Sequence, residues 1–390
     1  MPAGTVAIAS KGLDAAVKAR DLASPPAAAR VPPLHIPSLD GLRAVSFFIV
    51  FIAHAGAYAV VPGGFGVTVF FFLSGFLITT LMRVEREATG TVSIRHFYLR
   101  RALRILPPFY LILGVATVFT VLRILPGELD AASVLAQALH VANYWFIFQG
   151  YDGAPAGTVP YWSLAVEEHF YLVFPLLYLG LTRYLATRNQ ARALWILCAV
   201  VCAWRCILVL GLGVGEDRTY IASDTRVDSM LFGCALALGL NPMLDRPLGR
   251  EALWKWLIVP AAIALLLVTF LYRPPWFRET IRYSLQGIAL TPVFIAAIRF
   301  PGWLPFRVLN ARPVAYIGVL SYTLYLGHQV ALMGVHFWMP TWHGGASAIL
   351  ALTIALCVSV VINRFVEKPS ARLRQRLARR SSVAASATVR

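Results

Sequence analysis

Apolar residues run through this chain in long stretches, and polar positions gather in the short segments between them. A helix that crosses hydrocarbon needs on the order of 17–25 residues. Ten stretches approach or reach that length: 42–61, 65–82, 105–124, 162–182, 193–214, 227–240, 256–272, 283–299, 314–335 and 345–364. The sixth, VDSMLFGCALALGL, is the shortest. Lipid supplies no partner for a backbone N–H or C=O, so each stretch is expected to be a helix that closes its own hydrogen bonds. The pattern predicts an all-α, polytopic membrane protein of about ten transmembrane helices.

Composition agrees and adds an orientation. Of 390 residues, 58% are hydrophobic and 14% charged, too little charge for a soluble domain of this length. With both termini cytoplasmic, 28 of the 35 Lys and Arg fall on the cytoplasmic side, the bias of positive-inside topology. The formal charge of +17 then reads as topology plus attraction to anionic membrane lipid, and no nucleic acid partner is expected. Residues 1–35, rich in Ala and Pro, are expected to form a disordered cytoplasmic arm and not a cleaved leader. Residues 36–370 form the expected transmembrane domain, and 371–390 a basic cytoplasmic tail. Cys198, Cys202 and Cys206 recur every fourth residue, a spacing that suits packing better than zinc, so no metal is expected.

Candidate chemistry lies in the polar residues that interrupt apolar stretches, because such groups survive in lipid mainly where they face a cavity or a partner. Arg43 and His54 share the first stretch, LRAVSFFIVFIAHAGAYAVV, about 16 Å apart along a helix. Arg101 and Arg104 share one helical face beside Arg100, where two guanidinium forks suit a phosphate; a plain topology anchor is the alternative. In WSLAVEEHFYL, Glu167 is a candidate to meet an Arg or orient a His, while Glu168 and His169 suit a wet vestibule. Arg205 in mid-stretch calls for a buried carboxylate, and Asp224, Arg226 and Asp228 open the sixth stretch. His328 lies deep in the ninth, where a helix–helix hydrogen bond is the plainer role. His54, Glu167, Arg205 and His328 together suggest one polar cavity, roofed by the external loop 125–161. Gly63, Gly64 and Gly66 suit a tight hairpin, and Ser74–Gly75 a close helix approach with no chemistry.

Five segments in order resemble the membrane-bound acyltransferase-3 family, whose members O-acylate sugars of lipopolysaccharide, exopolysaccharide, nodulation factors and some macrolides. They are SLDGLRAVSFFIVFIAH with its Arg-x10-His pair, GVTVFFFLSGFLI, the Arg101-x-x-Arg104 pair, WSLAVEEHFYLVFP and YTLYLGH. The resemblance covers roughly residues 36–370. Many relatives have Asp where Thr68 stands and Gln where His169 stands, departures that bear on acceptor choice. The resemblance is to a stand-alone member, with no added hydrolase-like domain expected after the tenth stretch.

The resemblance implies a multi-pass O-acyltransferase of the bacterial cytoplasmic (inner) membrane, with acyl-CoA, commonly acetyl-CoA, as donor and a sugar or glycan as acceptor. Arg43, Arg101 and Arg104 would hold the CoA phosphates. His54 would act as base or acyl relay, with Glu167 assisting. Arg205, Asp228 and His328 are expected as substrate contacts. A transporter or flippase suits ten helices with buried charge equally well, although no inverted repeat is visible. An acyltransferase of a small secondary metabolite such as a macrolide is the third reading.

Overall fold

The structure, a computed structural model, describes residues 37–246, 249–342 and 344–377. The expected arm at 1–35 and the tail beyond 377 lie outside the described residues, among which there is no strand. Ten principal helices correspond to the ten apolar stretches. They are α1 (Pro37–Ile52), α2 (Gly63–Thr89), α3 (Ile94–Val121), α4 (Trp162–Tyr184), α5 (Thr187–Cys206), α6 (Ser223–Gly239), α7 (Val259–Leu271), α8 (Arg282–Arg299), α9 (Arg312–Trp338) and α10 (Gly345–Ile362).

Seven of these segments, those of α1 to α5, α7 and α10, are long and apolar enough to cross a membrane. The other three explain why about ten was expected. Helix α6 has only 17 residues, and nearly all of it from Thr225 to Leu238 is buried between neighbours. It packs chiefly on α2 and α5, while α9 packs on α1 and α10.

Helices α2 and α3 outrun their apolar stretches. Helix α2 continues to Thr89, where Gly90 closes it at φ 81°, and α3 starts at Ile94 with Ser93 as its N-cap. The extra turns are polar and held by ion pairs: Arg83 to Asp245 at 2.6 Å, Arg83 to Glu87 at 2.8 Å and Arg100 to Glu85 at 2.7 Å. At the other end of the chain the last helix widens to a π-turn at Asn363–Glu367 and runs on to Leu377, across the expected domain–tail boundary at 370.

Small residues set the closest approaches. A Cβ at Gly75 would strike the Met230 carbonyl and one at Gly233 the Phe72 carbonyl, which locks α2 against α6. Gly318 lies against the Asp40 backbone and seals α9 onto α1 in the same way. The glycines expected to form the first hairpin do something else. Gly63, Gly64 and Gly66 begin α2, and Gly66 touches the Ser46 carbonyl of α1. The turn itself uses Gly56, at φ 110°.

Candidate active site

Two cavities follow one another along the bundle. The first, of about 560 Å³, is lined by Arg43, Arg101, Arg104, Glu167 and Arg374 among apolar neighbours from α2, α4 and α9. The second, of about 570 Å³, is lined by His54 together with Arg273, Arg278, Arg282, Tyr220 and Tyr283. Val67 and Tyr325 belong to the walls of both. The single polar cavity expected from the sequence is therefore two, and Glu167 faces the arginines, not His54.

In the arginine cavity, Arg43 is paired with Asp40 at 2.5 Å. Arg101 lies over the Tyr171 ring, its Cζ 5.0 Å from the centroid. Among the described residues Arg101, Arg104 and Arg374 have no carboxylate within 4.0 Å. Glu167 accepts a hydrogen bond from Ser74 Oγ at 2.9 Å. Ser74, read as purely architectural in the sequence, is thus a polar member of this site. Arg374 was unreadable as a site residue because its sequence context is an ordinary basic tail. The arrangement suits a ligand with several negative charges, since guanidinium forks match phosphate oxygens.

The second cavity is built around a break in α1. After Ile52 the helix widens into a π-turn over Ala53–Ala57, which turns the exposed His54 ring into the cavity. His54 Nδ1 lies 2.8 Å from His328 Nε2, with the rings parallel. His328 is fully buried against the edges of Phe47 and Phe51, and its Nδ1 lies 2.7 Å from the Tyr325 carbonyl. A carbonyl can only accept, so His328 Nδ1 carries the proton. A neutral His328 then accepts at Nε2, and His54 donates from Nδ1. That leaves the lone pair of His54 on Nε2, free for chemistry.

The walls are held by hydroxyls. Tyr325 and Ser163 hydroxyls meet at 2.6 Å, and Tyr325 also donates to the Pro160 carbonyl at 3.1 Å. The loop 125–161 contributes Tyr151, Val159 and Pro160 to the lining of the second cavity. Tyr151 donates to Asp217 at 2.6 Å; burial, and then that carboxylate, push its phenol up, which keeps it a donor.

The three expected substrate contacts line neither cavity. His328 lies behind His54. Arg205 and Asp228 are fully buried partners, Nη2 to Oδ2 at 2.7 Å, as a mid-stretch arginine demands. Arg205 also donates to the carbonyls of Thr280 and Thr225 and to Ser284 Oγ, and Ser284 donates to Asp228. So many partners make this a structural clamp between α5, α6 and α8.

Comparison with known proteins gives a consistent result. The chain is 28% identical over 357 residues to the peptidoglycan O-acetyltransferase OatA of Listeria monocytogenes, which covers 86% of this chain and 56% of that protein. It is 29% identical over 357 residues to the O-acetyltransferase OatA of Staphylococcus aureus, with 86% and 57% covered. The chain thus spans little more than half the length of these curated relatives. No solved structure matches. Residues 36–364 match the family model described as an acyltransferase domain. The chain belongs to the acyltransferase-3 family.

Proposed function

We propose that this protein is a membrane O-acetyltransferase that moves an acetyl group from acetyl-CoA to a hydroxyl of a cell-wall or exported glycan. All ten principal helices would span the membrane, with both termini and the arginine cavity cytoplasmic. The observation that carries this reading is the pairing of an arginine-lined cavity with an adjoining one in which an imidazole lone pair is held free. The names of the OatA relatives supply the acetyl group and the glycan.

Arg43, Arg101, Arg104 and Arg374 would hold the CoA phosphates. About 16 Å separates Arg43 from His54 along α1, a span suited to the long pantetheine arm. The thioester would pass Val67 and Tyr325 and stop beside His54. The acceptor oxygen attacks the thioester carbonyl while its proton moves to His54 Nε2. The tetrahedral intermediate collapses, the C–S bond breaks, and the CoA thiolate takes the proton from the imidazolium. His328 fixes the tautomer that makes Nε2 the base and accepts the hydrogen bond of the imidazolium that forms.

The test is transfer of radiolabel from acetyl-CoA by purified protein in nanodiscs. Labelled glycan and free CoA with wild type, and neither with His54→Ala, support the reading. If CoA is never released and His54→Ala behaves as wild type, the reading fails and passage of a substrate through the bundle takes its place.

A further inference from the structure

The His54 cavity carries more positive charge than its own carboxylates compensate. Three arginines line it against one glutamate. That glutamate, Glu216, is engaged by Arg278 at 2.9 Å. Glu279 accepts from Thr219 at 2.7 Å and lies 4.0 Å from Arg278. Arg273 turns to two carbonyls, those of Phe270 and Ala59. Arg282 donates to the Tyr283 hydroxyl at 3.0 Å, and its buried Nε has no hydrogen-bond partner among the described residues.

Directly behind this wall stands a second guanidinium in the same condition. Arg226 is fully buried, and its Cζ lies 4.1 Å from the Tyr283 ring centroid and 5.4 Å from that of Tyr220. Its hydrogen bonds go to Thr68 Oγ1 at 3.0 Å and the Tyr220 carbonyl at 3.3 Å, and its Nε is unsatisfied. No carboxylate lies within 4.0 Å of Arg226 or Arg282 among the described residues. Arg282 Cζ is 4.9 Å from the same Tyr283 ring, so one ring is shared by two guanidinium groups that have no direct carboxylate partner among the described residues, Glu279 acting on Arg282 only from farther off. Aromatic quadrupoles offset such charge only in part, and a buried guanidinium without a carboxylate is costly. A ligand bearing negative charge would complete the site.

We infer that the cavity beside His54 selects a glycan acceptor carrying an anionic group, a carboxylate or a phosphate, near the hydroxyl that is acylated. Arg282 is its direct contact, and Arg226 raises the potential from behind the Tyr283 ring. A guanidinium is the natural reader of either anion, because its fork meets two oxygens at once. This inference rests on the acceptor binding beside His54, as proposed above.

The experiment uses full-length protein in nanodiscs and two matched pairs of probes. One pair is the disaccharide of N-acetylglucosamine and N-acetylmuramic acid, with its lactyl carboxylate free or methyl-esterified. The other is trigalacturonate and its methyl ester. A phosphorylated disaccharide with a neutral counterpart distinguishes phosphate from carboxylate. Acetyl transfer and, separately, equilibrium binding are measured for wild type, Arg282→Gln and Thr68→Asp. Thr68→Asp sets a carboxylate beside Arg226, so it removes net charge while supplying a missing partner, and its thermal unfolding in detergent is compared with wild type. In wild type the acidic member of at least one pair is expected to exceed its neutral partner by about tenfold or more, the scale of one charge-assisted hydrogen bond. Both variants are expected to bring that ratio towards one.

Equal use and equal binding of acidic and neutral members, or no binding of any probe, overturns the inference. Transfer that ignores charge leaves the acetyltransferase reading standing without it. Binding that needs the anion and Arg282, with no transfer to any probe, does the reverse.

Discussion

The two cavities are nearly equal in volume and share a wall, yet their charges are arranged to different ends. In one, arginines converge from α1, α3 and the last helix, with two carboxylates among them, Asp40 paired to Arg43 and Glu167 accepting from Ser74. In the other, a single imidazole is presented by a broken helix end and its tautomer is fixed from behind by a second, buried one. Converging cations suit binding; an oriented, uncharged base suits proton transfer. On the proposed function, the two halves of a transfer reaction fall in two places, with Val67 and Tyr325, which line both cavities, between them.

Breaking the contrast at its reactive end has the largest expected effect. His54→Ala removes the proposed base and should lower the rate of acetyl transfer by about 10²–10⁴-fold, measured with radiolabelled acetyl-CoA. Asp228→Ala leaves Arg205 buried without its carboxylate and should cost about 3–5 kcal/mol of stability, read by thermal unfolding in detergent. Arg205 touches neither cavity, so the protein that remains folded should keep its KM for acetyl-CoA. His328→Ala frees the His54 ring to turn, and kcat should fall about 10²-fold with KM little changed. His328→Gln, whose amide oxygen still accepts, should recover part of that loss, which a merely structural role would not predict. The smallest effect is expected from Gly318→Ala, where a methyl group must displace the Asp40 backbone at a cost of about 1–3 kcal/mol in unfolding experiments.

The sequence carried the helices better than their ends. Hydropathy located ten helices because burial in lipid and burial against other helices leave the same apolar signature. For that reason it did not separate α6, shielded on all sides, from true candidates for spanning. It stopped α2 and α3 too early because the added turns are polar and are stabilised by partners such as Asp245, distant in the chain. Arg101 and Arg104 were legible from their spacing on one helical face, while Arg43 joined them only through the family resemblance. Glu167 and His54 were not separable into two cavities, because depth along a helix says nothing of the direction a side chain faces. His328 was legible as a helix–helix hydrogen bond, but its partner lies 274 residues away. The pair Arg226 and Arg282 could be found only by locating the carboxylates and seeing that, among the described residues, none lies within 4.0 Å of either.

The most direct test of the division between the cavities is equilibrium binding of CoA to wild type, His54→Ala, Arg282→Gln and the Arg101→Gln/Arg104→Gln double variant. The double variant should bind at least about tenfold more weakly, with a reduced salt dependence, while His54→Ala and Arg282→Gln bind as wild type. Loss of CoA binding on changing Arg282, with no loss on changing Arg101 and Arg104, would put the donor in the wrong cavity and contradict the account.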